Sequence, residues 1–154
     1  MDKYDFMRLA LEQARLSADE GEVPVGAVVV RNGEIVSYGR NRREKEKNAL
    51  CHAEIEAIDG ACKALGGWRL WECEMYVTLE PCPMCAGAII NSRLKKVTYG
   101  AKDYKNGAVE SVTKMFSLPF THKPETESGV LGEECSNMLS EFFKNLREQR
   151  TNNK

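Results

Sequence analysis

Two short clusters carry side chains whose types and spacing could do chemistry together: His52-Ala53-Glu54 and Pro81-Cys82-Pro83-Met84-Cys85. Zinc prefers nitrogen and thiolate ligands in a tetrahedron, and a catalytic site keeps one of the four positions for water. Cysteines three apart on a first helical turn lie on one face, so Cys82 and Cys85 can reach one ion, with His52 as the third ligand. Two helix N-termini aimed at such a site add partial positive charge, which favours thiolates over thiols. One imidazole and two thiolates leave the centre neutral, so its bound water can ionise near neutral pH. Glu54 is not needed as a ligand. Residues two apart on a regular helix point to nearly opposite sides, so His52 and Glu54 can share a site only if His52 stands at the helix boundary. From there Glu54 can take a proton from the water and return it to a leaving group.

Blander readings fit the parts taken singly. A C-x-x-C pair alone is equally a redox pair or half of a structural zinc site. A structural site closes with four protein ligands, and the one rival fourth ligand is Cys51. Neighbouring residues rarely bind the same ion well, so Cys51 reads as a packing residue. A lone histidine is usually a satisfied core or surface group. His52 departs from that default because Glu54 and two cysteines accompany it.

The elements that must position these residues follow from periodicity. Residues 2–20 carry Phe6, Met7, Ala10, Leu11, Ala14 and Ala18 at helical steps, and Gly21 suits the end of that helix. Residues 25–30 form an almost unbroken apolar run, as in a strand covered on both faces. Asn32-Gly33 is a type I′ hairpin signal returning a second strand at 35–38. A polar connection over 40–50 leads to a helix at 52–65, stopped by Gly66-Gly67. A third strand at 75–79 precedes a helix with Pro83 in its first turn. The pattern then predicts a fourth strand at 97–100, a short helix at 111–117, a fifth strand at 125–130 and an amphipathic helix at 133–150. Strands alternating with helices after a hairpin imply an α/β fold, a mixed sheet with helices on both faces.

The chain has 154 residues, 42% hydrophobic and 29% charged, which fits one domain over 1–150 with a frayed tail at 151–154. No apolar run approaches the roughly 18 residues of a membrane span. The acidic Met1-Asp2-Lys3-Tyr4-Asp5 start is unlike a signal peptide, and the expected location is cytoplasmic. Of six cysteines, Cys51, Cys62, Cys73 and Cys135 are scattered among apolar residues, which reads as free thiols beside one metal pair. A net charge of −1 excludes a broadly basic nucleic-acid binder, so any such contact must be local. Arg40, Arg42, Arg43, Lys45 and Lys47, interrupted by Glu44 and Glu46, are either a solvated loop or a set of phosphate contacts.

The H-x-E and P-C-x-x-C pair matches the pattern of zinc nucleobase deaminases. With Glu22-Val23-Pro24-Val25-Gly26-Ala27, His52-Ala53-Glu54-Ile55-Glu56-Ala57-Ile58 and Thr78-Leu79-Glu80-Pro81-Cys82-Pro83-Met84-Cys85-Ala86-Gly87-Ala88, the chain resembles the bacterial tRNA-specific adenosine deaminase family. The likeness runs over roughly 4–147, through Tyr99-Gly100-Ala101-Lys102-Asp103 and Phe142-Phe143. It implies a single CMP/dCMP-type deaminase domain: a cytidine deaminase-like three-layer α/β/α sandwich around a mixed five-stranded sheet. It also implies a homodimer, one zinc per subunit, and hydrolytic conversion of the wobble adenosine of a tRNA anticodon stem-loop to inosine with release of ammonia. Under the same resemblance His52, Cys82 and Cys85 hold zinc and Glu54 shuttles protons. Asn41 hydrogen-bonds the flipped base, and Val23 and Pro24 wall its pocket. Asp103 and Lys105 lie on a loop approaching the RNA, and Phe142 and Phe143 are terminal-helix aromatics near it. Thr121-His122 stands where many relatives carry Asn-His. From the residues alone, Asn41 could instead cap a turn, and adjacent Phe142 and Phe143 cannot both face one core. Two rival functions remain: a free-base or nucleotide deaminase such as the guanine deaminases, and a non-enzymatic zinc-bound RNA-binding module.

Overall fold

Apolar side chains alternate along the first strand in a way that needs two covered faces. Ala27 and Val29 enter one buried cluster while Val28 and Val30 enter another. The computed structural model describes residues 1–152 and meets that need with a five-stranded sheet between two helical layers. The elements run α1 (Lys3–Asp19), β1 (Gly26–Arg31), β2 (Glu34–Arg40), α2 (Ala53–Leu65), β3 (Cys73–Leu79), α3 (Pro83–Ser92), β4 (Lys96–Ala101), β5 (Glu125–Ser128) and α4 (Gly132–Asn152). The strand order is β2-β1-β3-β4-β5. β1 is antiparallel to both β2 and β3, whereas β3, β4 and β5 run parallel. This is the expected mixed sheet, and α2 and α3 cover one face while α1 and α4 cover the other.

Local chemistry explains the boundaries. Asp2 caps α1, accepting from the Tyr4 and Asp5 N–H groups, while the Asp5 carboxylate accepts from the Asp2 N–H. Asn32 and Gly33 both take positive φ (50° and 79°), as a type I′ turn demands. Gly39 matters most for the site. A Cβ there would lie 2.0 Å from the Ala53 carbonyl oxygen, so only glycine lets the first turn of α2 rest directly on β2.

Two sequence expectations are corrected. The predicted helix at 111–117 is only a single 3₁₀ turn at Met115–Ser117. The Met115 N–H, which in a helix would bond the Ser111 carbonyl, goes to the Ala108 carbonyl at 3.0 Å, and the Val112 N–H goes to the Gly107 carbonyl at 2.9 Å, so the stretch folds back on residues 107–108. At the C-terminus α4 continues through Thr151 and Asn152, which were expected to fray; the remainder of the expected tail, 153–154, lies outside the described residues. Among the described residues no helix is long and apolar enough to cross a membrane.

Candidate active site

Both chemical clusters fall at helix starts. His52 is the N-cap of α2 with an extended backbone (φ −85°, ψ 154°), and Cys82 is the N-cap of α3 (φ −74°, ψ 174°) with Pro83 following at the first helical position. The extended N-cap resolves the difficulty of residues two apart. His52 leaves the helical screw before it begins, so its ring and the Glu54 carboxylate enter one cavity. Neither side chain makes a capping hydrogen bond to its helix. Both are therefore free to face a ligand.

The liganding atoms of His52, Cys82 and Cys85 all lie within 4.8 Å of one another. The His52 Nδ1 is 3.7 Å from the Cys82 Sγ and 3.5 Å from the Cys85 Sγ. Standard zinc–sulfur and zinc–nitrogen bonds at tetrahedral angles put nitrogen and sulfur about 3.6 Å apart. The donor set and its spacing therefore fit a tetrahedral zinc. Cys51 is outside the group and half-buried, and its backbone carbonyl accepts from the Arg42 N–H at 3.0 Å. All six cysteines are free thiols.

Electrostatics mark the same spot. The Cys82 thiol is driven far below its usual range by a hydrogen bond from Cys85, against the opposing effect of burial, with His52 lowering it further. Cys85, the donor in that pair, is pushed up, and the bond to Cys82 raises His52. Such a trio already holds one thiolate ready for a cation. Glu54 is 4% exposed. Burial pushes its carboxyl up to about 7, and the charge on Cys82 reinforces the shift.

These groups sit in a cleft of about 700 Å³ whose lining also includes Val23, Asn41, Asp103, Lys105 and Phe143. The MafB19-like deaminase family profile matches residues 1–147. A tRNA-specific adenosine deaminase of Bacillus subtilis (strain 168) is 49% identical over 146 residues, covering 94% of this chain and 91% of its own. The chain belongs to the tRNA-specific adenosine deaminase family. A solved structure from a study of A-to-I editing by tRNA:A34 deaminases at the wobble position of transfer RNA superposes with a TM-score of 0.85 at 45% identity, covering 88% of this chain and 99% of that one. A guanine deaminase from Nitrosomonas europaea shares the fold at a TM-score of 0.82, covering 92% of this chain and 84% of that one, with 22% identity.

Within this tRNA-specific adenosine deaminase family member, the other anticipated site residues divide. Asn41 is 8% exposed and does cap a turn: its Oδ1 accepts from the Arg43 N–H at 3.2 Å, and its Nδ2 donates to the Val23 carbonyl at 3.1 Å. One amide hydrogen and one lone pair remain, and the residue still lines the cleft. Val23 and Val25 line it, while Pro24 between them is buried and does not. Asp103 and Lys105 stand on the opposite rim. Phe143, 41% exposed, reaches the cleft, whereas Phe142 borders a separate groove between α1 and α4. His122 contacts the Leu94 carbonyl at 2.6 Å and stacks edge-on against Trp71.

Sequence reasoning missed several groups. Tyr104 lines the cleft beside the anticipated residues, which include Arg43 of the basic set. Two buried carboxylates brace its rims: Glu22 accepts from the Glu44 and Lys45 N–H groups at 3.0 and 2.7 Å, and Glu80 accepts from the 103–111 segment. The available signal was their setting, an acidic residue directly beside the apolar runs of β1 and β3. Of the basic set, Arg40 and Lys45 pair with Glu20, and Arg42 pairs with Glu56.

Proposed function

We propose that this chain is a zinc-dependent hydrolase that deaminates the wobble adenosine (position 34) of a tRNA anticodon stem-loop to inosine, releasing ammonia. The observation that carries the reading is the convergence of His52, Cys82 and Cys85 beside a buried Glu54 on the floor of an open cleft. Membership of a family whose relatives bear that activity in their names supports the substrate.

His52, Cys82 and Cys85 would hold one zinc per subunit, which would supply a Lewis acid able to make water nucleophilic near neutral pH. Glu54 holds and moves the proton. Its carboxylate takes one from the attacking water, and its carboxyl returns it to the departing amino nitrogen. Oxygen replaces nitrogen on C6 of adenine, and ammonia leaves. A carboxyl raised to about 7 is matched to that double duty, since it both accepts and releases a proton near neutrality. Asn41 offers its spare Nδ2 hydrogen and Oδ1 lone pair to the heterocycle, with Val23 against the base's apolar face. A duplex hides C6, so the substrate base must enter from a single strand or be flipped out. Asp103, Lys105 and Phe143 meet the flanking nucleotides in this reading, which their position in the cleft lining supports. Phe142 enters this reading only as the edge-on partner that orients Phe143, at 5.5 Å between ring centroids. The wall role proposed for Pro24 is indirect, through the position of Val23.

Two further parts belong to the reading. A second copy of the chain is the partner for exposed Val112, Leu118 and Phe120, giving a homodimer. The tRNA substrate puts the protein in the cytoplasm. The test is ammonia release from an anticodon stem-loop beside free guanine, cytosine and adenosine, with wild type and Glu54→Ala. The hairpin is expected to be the preferred substrate, and Glu54→Ala to lose at least a hundredfold in turnover while keeping its metal. Good turnover of free guanine or cytosine without the hairpin would refute the tRNA substrate. Full activity in Glu54→Ala would refute the proton shuttle.

A further inference from the structure

The segment joining β4 to the 3₁₀ turn crosses the rim of the cleft with Lys102, Asp103, Tyr104, Lys105 and Asn106. Its backbone is pinned by one side chain. Glu80, at the end of β3, is 2% exposed, and both of its oxygens are fully engaged. Oε1 accepts from the Asp103 N–H at 3.1 Å and from the Ser111 hydroxyl. Oε2 accepts from the N–H groups of Val109, Glu110 and Ser111 at 3.1, 2.9 and 3.0 Å. Five donors meet a group with about four lone-pair sites, so the carboxylate is saturated. Every donor lies on this one segment.

The surroundings are shaped for that carboxylate. A Cβ at Gly107 would lie 2.4 Å from the Glu80 carboxyl carbon, so the segment can close over Glu80 only with glycine there. Asp103 completes the turn: its Oδ1 accepts from the Lys105 and Asn106 N–H groups, each at 3.1 Å, and its carbonyl accepts from the Gly107 N–H at 2.8 Å. The product is a rigid turn that holds Tyr104 79% exposed, the most solvent-accessible of the large apolar side chains. Burying a carboxylate costs free energy unless it is fully hydrogen-bonded, and here the whole bonding capacity is spent on ordering one stretch of rim. An aromatic held out on a preorganised turn between lysines suits a stacked nucleobase beside a phosphate chain.

We propose that Glu80 is a positioning residue for the substrate strand: by fixing residues 103–111 it presents Tyr104 and Lys105 to the single-stranded RNA in one conformation. The inference rests on the tRNA reading for its substrate, and Glu80 acts on binding through the segment. In Glu80→Gln the remaining carbonyl oxygen can satisfy only one side. On the other, the new amide confronts the Asp103 N–H, two donors face to face, and the Asp103 end loosens.

The experiment measures KM and kcat for an anticodon hairpin together with amide hydrogen exchange on the metal-loaded protein. For Glu80→Gln, KM is expected to rise tenfold or more, with kcat within twofold and metal content unchanged. Exchange at Asp103 is expected to quicken tenfold or more, while Val109, Glu110 and Ser111, still bonded to the remaining oxygen, and Tyr76 and Tyr99 in the sheet keep their protection. Tyr104→Ala should raise KM by itself, and combined with Glu80→Gln should raise it by less than the product of the two effects, because both act through one turn. An unchanged KM, a fall in kcat alone, or unchanged exchange would overturn the proposal. If Glu80→Gln does not fold, Ser111→Ala carries the test, since it removes only the hydroxyl donor: a KM raised threefold or more supports the proposal and an unchanged one overturns it. If the wild type does not turn over the hairpin, the tRNA reading fails, and amide exchange alone still decides whether Glu80 holds the segment.

Discussion

His52 and Cys82 owe their place in the cleft to being N-caps. An extended backbone at each lets the side chain leave the helix and turn into the cleft, while Glu54 and Cys85 enter from the first turns behind them. The types and spacing of these four residues were legible in the amino-acid order, because H-x-E and C-x-x-C are local patterns. Cys51 was set aside because it adjoins His52, and the structure sends its carbonyl to Arg42 and keeps its sulfur out of the metal group. The corresponding prediction is chemical. Cys82→Ser or Cys85→Ser should strip most of the metal, because a hard hydroxyl replaces a thiolate. Cys51→Ser should retain it. Metal analysis of the three purified variants checks this, and equal loss in Cys51→Ser would break the three-ligand assignment. Asn41 shows the opposite limit of local reading. Base contact and turn cap were alternatives on paper, but its side chain caps the turn with one hydrogen and one lone pair and leaves the others facing the cleft.

Among elements, the strands and long helices follow from periodicity. The 111–117 stretch, held at its start by the remote Glu80, is no helix because it folds back on residues 107–108, its Met115 N–H bonding the Ala108 carbonyl at 3.0 Å instead of that of Ser111. No window-based pattern contains that information. β4 carries a second such link, the Tyr99 hydroxyl donating to Glu110, which ties the sheet to the far end of the rim segment. Burial first, and that bond second, push the Tyr99 phenol above its ordinary range. A group raised in the folded state contributes its stability in full below its unfolded pKa, near 10 for tyrosine, and loses it as pH climbs further. Tyr99→Phe should therefore cost about 1 kcal/mol at neutral pH. Above about pH 10 its melting temperature should fall less steeply than that of the wild type. Parallel slopes in melting curves taken between pH 8 and 11 would contradict the assignment.

At the scale of the whole molecule, a chain of net charge −1 must concentrate any affinity for RNA at the cleft. The structure narrows where. Arg40, Arg42 and Lys45 are committed to Glu20 and Glu56, whereas Arg43 and Lys105 line the opening from opposite rims. The composition could count the basic residues, but which of them are neutralised internally depends on α1 and α2 approaching the 41–50 loop, a tertiary fact. Arg43→Glu with Lys105→Glu should weaken hairpin binding and reduce the slope of log affinity against log salt by about one to two, leaving the preference for adenine over cytosine unchanged. A salt titration that leaves the slope intact would move the RNA elsewhere on the surface. The three-layer fold was legible because alternating strands and helices leave few ways to bury both faces of a sheet. The depth of the site was not, since it depends on Gly39 letting α2 lie directly on β2. Under the proposed function this cleft takes one extruded base and not a paired one. The most direct measurement is therefore inosine formation at a single adenosine presented either in a seven-membered anticodon loop or in a perfect duplex of the same sequence. The wild type should convert the loop adenosine at least a hundredfold faster, because unstacking and unpairing a base costs a few kcal/mol. Equal rates on the two, or no inosine in the loop from zinc-loaded protein, would contradict the account.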